Sequence, residues 1–166
     1  MAQSSAKDEW ETPDDFFATC HEEFNFDLDA CACVDGSNAK LKRHFTVQDN
    51  ALHMPWNQKG VSSVWCNPPY GRGATLRWTT RAAVQATDNE LTVVLLLPAR
   101  TDTKWFHEVI MQRADEIRFV RGRLRFKGAK NPAPFPSMVV VFRPGDAYQS
   151  LAGPALMTVD TKGKLL

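Results

Sequence analysis

The chain has 166 residues, 43% of them hydrophobic, and a formal net charge of +1. That length suits one sizeable core and excludes two comfortable domains, and the composition is that of an ordinary globular protein. The start "MAQSSAKDEWETPDD" is polar and acidic and the longest apolar run, "LTVVLLLPA", is far too short to span a bilayer, so the sequence predicts a cytoplasmic protein with no membrane partner.

The charge is unevenly spread. Ten acidic residues and no Lys or Arg lie between Asp8 and Asp35, whereas six basic residues and no acid lie between Arg118 and Lys130. Such a positive pole suits a polyanion, although a solvated strand face gives the same pattern.

In chain order, residues 1–8 read as a flexible lead-in. "ETPDDFFATCHEEF" starts a helix, with Thr12 as cap, Pro13 in the first turn and Asp14 and Asp15 at the positive end of the dipole. "FNFDLDAC" alternates with period two, which puts Phe24, Phe26, Leu28 and Ala30 on one face of a strand and Asp27 and Asp29 on the other. "GSNAKLKRHF" reads as a short helix and turn, and "TVQDNAL" as a short strand and loop. "VSSVWC" is a buried strand that runs into Asn67, Pro68, Pro69 and Tyr70. Neither proline has an N–H for a ladder, so the sheet stops there in a stiff tip. Open α/β sheets bind ligands at that end of their strands.

Residues 74–87 read as a helix, "ELTVVLLLP" as a strand buried on both faces, and "DTKWFHEVIMQR" as a helix with Trp105, Phe106, Val109 and Ile110 inward. "IRFVRGRLRF" and "SMVVVFRP" close the domain as an antiparallel pair joined by "KGAKNPAPFP". From Ala147 onward, Gly153 and Pro154 interrupt any pattern, and 147–166 is left as a tail. The expectation is a single domain over 1–166 with a three-layer Rossmann-like α/β sheet, mostly parallel, ending in an antiparallel β-hairpin.

Four cysteines (Cys20, Cys31, Cys33, Cys66) form no CxxC pair and read as reduced, buried thiols. A zinc site built from Cys31, Cys33 and His44 or His53 matches no common spacing, and no metal is expected.

These pieces together resemble the amino-group methyltransferases that use S-adenosylmethionine, whose catalytic motif is [DNS]PP[YFW]. More closely, the chain is similar to the phage-type Dam DNA adenine-N6 methyltransferases. The resemblance rests on "WETP" (10–13), "FDLDACA" (26–32), "DNAL" (49–52), "VWCNPPYG" (64–71), "LLLPARTDTKWFH" (95–107) and "GRLRF" with "APFPS" between Gly122 and Ser137. It implies S-adenosylmethionine as cofactor and DNA as partner. It implies that Asn67, Pro68, Pro69 and Tyr70 are catalytic and that Trp10, Thr12, Pro13, Asp29, Ala30 and Asp49 serve the methyl donor. Arg72, Arg100, Thr101, Asp102, Arg121, Arg123, Arg125, Lys127, Lys130 and Phe135 would then face DNA.

The physical logic agrees with the motif. An exocyclic amine is a weak nucleophile because its lone pair is delocalised into the ring. Acceptors at the Asn67 side chain and the Pro68 carbonyl would draw it toward an electron-rich geometry, while Tyr70 or a second aromatic residue, Phe135 before Phe126, stacks on the base. A duplex base must first be flipped out to reach such a pocket. A rigid turn is the plain alternative for the tip, as a strand carboxylate is for Asp29, a turn former for Asp49 and a helix cap for Asp102 or Thr103. No glycine-rich turn follows the first strand, so either "DACACVDG" replaces it or the first strand–helix unit is reduced. Other acceptors for the same motif are cytosine N4, an RNA base or a protein glutamine, and a DNA-binding relative without turnover is a rival of another class.

Overall fold

The computed structural model describes residues 10–145 and 153–166. The expected lead-in at 1–8 and residues 147–152 of the expected tail lie outside the described residues.

Helix α1 (Asp14–Phe24) forms where the acidic first turn and the stripe of Phe16, Phe17 and Cys20 place it. Pro13 is its N-cap and no side chain caps it, so Thr12 is not the cap that the sequence suggested. The Thr12 hydroxyl turns to Asn67 instead.

Strands β1 (Leu28–Asp29), β2 (Ser63–Cys66), β3 (Thr92–Pro98), β4 (Glu116–Val120), β5 (Ser137–Phe142) and β6 (Ala155–Val159) form one sheet in the order β1-β2-β3-β5-β4-β6. Strands β1, β2 and β3 are parallel, β5 runs antiparallel between β3 and β4, and β6 is parallel to β4. The expected mostly parallel sheet with an antiparallel β4–β5 pair is therefore present. Strands β2 and β5 are buried along their whole length, as is β3 beyond Thr92, so the continuous apolar runs sit where both faces are covered.

Alternation along the strands assigns the faces. Trp65 of β2 is in register with Val94, Val94 with Val141, and Val141 with Glu116, so these share one face with Arg118. Helix α1 covers that face: Phe17 meets Trp65 edge-on at 5.4 Å and Glu23 pairs with Arg118 at 2.7 Å. Helix α2 (Ala74–Asn89) and a π-helical turn (Phe106–Ile110), which leads into α3 (Met111–Arg113), pack together on the other face. Trp105, Phe106, Val109 and Ile110 all point inward as expected.

Three local expectations are corrected. "GSNAKLKRHF" is a run of turns and bends rather than a helix, and "TVQDNAL" holds a 3-10 turn (Val47–Asp49) rather than a strand. The residues between β1 and Arg43 hold turns and bends and no crossover helix. What remains of that unit is a main-chain graft on the outer edge of β1: Asp29 N donates to the Arg43 carbonyl (3.0 Å) and Phe45 N to the Asp29 carbonyl (2.9 Å). Gly36 lets the intervening turn close, since its φ is +69° and a Cβ there would lie 2.8 Å from His44 Nε2. Finally, the tail is not without structure. Strand β6 pairs along the full length of β4, from Glu116 opposite Ala155 to Val120 opposite Val159.

Candidate active site

The register brings the carboxyl ends of β1, β2, β3 and β4 to one side of the sheet. Four segments therefore emerge together: 30–47 after β1, 67–73 after β2, 99–103 after β3 and 121–136 after β4. The tip after β2 stands in their midst.

Asn67 follows the last residue of β2, and its Nδ2 donates to the Trp10 main-chain carbonyl and to Thr12 Oγ1 (3.0 Å). The Tyr70 hydroxyl lies 2.8 Å from Asn67 Oδ1 and 3.1 Å from the Leu96 carbonyl. Burial pushes the Tyr70 phenol well above its ordinary pKa, so it stays a donor. The Tyr70 ring is buried beneath Phe135 and Phe126, with centroids 5.7 and 6.4 Å away, and Trp10 closes the group at 5.2 Å from both phenylalanines. Tyr70 thus offers no bare face in this conformation, which corrects the simple expectation of an open stacking platform. Both Phe126 and Phe135 belong to the aromatic group, the former fully buried and the latter half-buried.

On the other side of Asn67 lies a shallow cleft of about 40 Å³, lined by Trp10, Thr12, Asp29, Asn67, Pro68 and Pro69 among others. Asp29 is 3% exposed; its Oδ1 accepts from Cys31 N (3.1 Å) and its Oδ2 from Lys40 N (2.9 Å). Burial raises the pKa of this carboxyl, and those two N–H groups oppose the rise. Sequence reading missed Lys40, Glu11 and Asn38, which also line the cleft. The Lys40 side chain is 8% exposed and pairs with Asp14 (2.7 Å) and Glu11 (3.4 Å). The acids that hold Lys40 lie 29 and 26 residues before it, so no local pattern announces the pairing.

Not every predicted residue reaches the cleft. Pro13 caps α1, and Ala30 is fully buried in the core and lines nothing. Asp49 is exposed, and its carboxylate accepts from Thr46 N (2.7 Å) and Thr46 Oγ1 (2.8 Å), closing its own turn. Its neighbour Val47 lines the cleft in its place.

Arg72, Arg100, Thr101, Asp102, Arg121, Arg123, Arg125, Lys127 and Lys130 are all exposed on the loops at this end. Arg121 to Lys127 alternate outward with buried Leu124 and Phe126 inward, yet they form a loop rather than the arm of a hairpin. Thr103, not Asp102, closes the turn after β3, its hydroxyl donating to the Arg100 carbonyl (2.8 Å). Lys127 is tied to the N-terminal segment: its N–H donates to the Glu11 carbonyl (2.9 Å), and its Nζ lies 3.2 Å from both Glu11 and Asp14. Arg118, counted within the basic run, is 4% exposed and neutralised by Glu23 and Glu116. Among the described residues there is no cluster of His, Cys, Asp and Glu fit to hold a metal, and no helix is long and apolar enough to cross a membrane.

A methyltransferase-type α/β sheet with an Asn-Pro-Pro-Tyr tip between a cleft and a basic rim defines the class. The chain belongs to the DNA N-6-adenine-methyltransferase (Dam) family, whose sequence profile matches residues 1–165. It is 32% identical over 156 residues to the DNA N-6-adenine-methyltransferase of Haemophilus phage HP1, covering 90% of this chain and 86% of that one. It is 29% identical to the DNA N-6-adenine-methyltransferase of Escherichia phage T1, covering 72% of this chain and 48% of the relative. Two solved structures share the fold at low identity. One, described as a modification subunit of a type I restriction enzyme from Vibrio vulnificus YJ016, superposes with a TM-score of 0.56 at 11% identity over 94% of this chain. The other, described as a class I S-adenosylmethionine-dependent methyltransferase from Listeria monocytogenes, gives 0.51 at 12% identity over 85% of this chain. The chain spans 48% and 52% of those two proteins, about half of each.

Proposed function

We propose that this chain, acting as one domain over residues 1–166 in the host cytoplasm, methylates the N6 amine of adenine in DNA with S-adenosylmethionine as donor. The observation that carries the reading is the place of the Asn67-Pro68-Pro69-Tyr70 tip. It borders a cleft lined by Asp29, Lys40 and Glu11 on one side and an aromatic group framed by basic loops on the other.

The cleft's donor set suits the cofactor. Lys40 and Glu11 present opposite charges to a zwitterionic amino-acid group, and Asp29 presents a buried carboxylate to ribose hydroxyls. Asp49 acts through the turn that it closes, which sets Val47 at the adenine end. Trp10, Thr12 and Pro13 bring the N-terminal segment over the methionine end, and Ala30 serves only as packing behind it. When bound, the donor supplies an electrophilic methyl group on sulfur. Asn67 Oδ1 and the Pro68 carbonyl accept from the two hydrogens of the target amine and bear the positive charge that develops on its nitrogen. Pro69 stiffens that carbonyl, and the tip would hold the amine for direct attack on the donor's methyl group, which makes positioning the larger part of catalysis. The extruded base takes the place of a ring in the aromatic group, beside Tyr70 and Phe135. Arg72, Arg100, Arg121, Arg123, Arg125, Lys127 and Lys130 neutralise phosphates, and Thr101 and Asp102 face the target strand.

Incubation with methyl-labelled donor and unmethylated duplex DNA, followed by nucleoside analysis, tests the reading. Label in N6-methyladenosine is the expected result. Label in cytosine or in protein overturns the substrate assignment, and no label in any acceptor overturns the activity.

A further inference from the structure

A side-chain amide has four hydrogen-bonding positions, two N–H donors and two lone pairs. At Asn67 most of them are spent. The Trp10 main-chain oxygen can only accept, so the Asn67 atom facing it is the NH2 group. The second N–H goes to Thr12 Oγ1 at 3.0 Å, and the Tyr70 hydroxyl takes one lone pair at 2.8 Å. A single lone pair is left over, and it is an acceptor. An amine donor needs that group and no other. An amide turned by half a rotation would offer N–H groups to the target and set its oxygen against the Trp10 carbonyl. The terminal torsion of a free asparagine is broad and two-fold, so its own energetics do not choose between the orientations.

We propose that Thr12 is a positioning residue: the Trp10 carbonyl selects which amide atom faces it, and the Thr12 hydroxyl, accepting the other N–H of Asn67 Nδ2, steadies the side-chain torsion with the oxygen turned toward the reacting amine. This deepens the function proposed above and rests on it. Thr12 suits the task because it belongs to a segment separate from the tip. It is 2% exposed, precedes α1, and belongs to a segment anchored on its far side by Lys127 N donating to the Glu11 carbonyl (2.9 Å). Of the three partners it is the one whose hydrogen bond can be removed without disturbing the aromatic rings, since Trp10 contributes main chain and Tyr70 is a ring of the group.

Two measurements decide it. In the wild-type protein the Asn67 side-chain NH2 protons are expected to be protected from solvent exchange by NMR; exchange at the rate of a free amide overturns the proposal without any variant. Thr12→Val keeps the shape and deletes the acceptor, whereas Thr12→Ser keeps the acceptor. Thr12→Val is expected to lower kcat roughly 100-fold, with NH2 protection lost. Thr12→Ser is expected to restore both kcat and protection. Equal loss in the two variants assigns Thr12 to methyl packing, and lost donor affinity with kcat intact assigns it to donor contact; either result overturns the proposal. If the wild-type protein labels no adenine, the proposed function falls, while the exchange measurement still reports on the amide.

Discussion

Asn67 to Ala removes the reacting acceptor and at the same time strands the Trp10 carbonyl, the Thr12 hydroxyl and one contact of the Tyr70 hydroxyl. Each stranded buried group costs about 1–3 kcal/mol, so the variant is expected to lose transfer entirely and to melt several degrees lower while still binding donor by calorimetry. A variant that keeps turnover would show the tip to be architecture alone. At this scale the sequence was most legible where covalent structure does the work. Two prolines end a strand whatever surrounds them, and they marked the tip without help from packing. Thr12 was read as a cap because its neighbours are those of a helix start; its partner lies 55 residues away, beyond any local pattern. Lys40 was missed for the same reason, since the acids that hold it come from α1 and the segment before it.

Elements are joined by charge as well as by packing. Arg118 on β4 donates to Glu23 of α1 and to Glu116 of its own strand, Glu116 also accepts from Arg143, and the Arg118 guanidinium lies 5.0 Å from the Phe24 ring. Arg118→Ala is expected to cost about 3 kcal/mol in chemical unfolding, the low end for breaking a buried pair because the Glu23 side chain is 43% exposed. The network also predicts a pH response. Burial works to raise the Glu116 carboxyl, but the hydrogen bonds from Arg143 and Arg118 prevail and hold it below its ordinary 4.5. A depressed carboxyl stabilises the fold above its unfolded value, so the contribution is present above pH 4.5 and disappears as pH falls through the lowered folded value. Glu116→Gln is expected to flatten the acid limb of melting temperature against pH; an unchanged limb would remove this network from the account. The strands with continuous apolar runs were legible, because burial on both faces leaves that mark. Strand β6 was not: it is an edge strand, mostly exposed, held by backbone hydrogen bonds that no side-chain pattern announces.

For the whole molecule, four loops gather at one end of the sheet and bring exposed basic residues together there. These charges differ in what they can contribute. Lys127 already pairs with Glu11 and Asp14, whereas Arg123 and Arg125 are exposed beside it. Replacing Arg123 with Ala is expected to reduce the slope of log affinity against log salt by about 1, and Lys127→Ala by distinctly less, in fluorescence anisotropy with labelled duplex. Equal slopes for both variants would dismiss the distinction. The wedge of Trp10 between Phe126 and Phe135 has an optical corollary. Anything that settles above the tip must jostle that indole, whereas Trp56 is sealed in the interior. Target capture is therefore readable in a stopped-flow fluorimeter without any attached dye, as the part of the signal that Trp10→Phe removes.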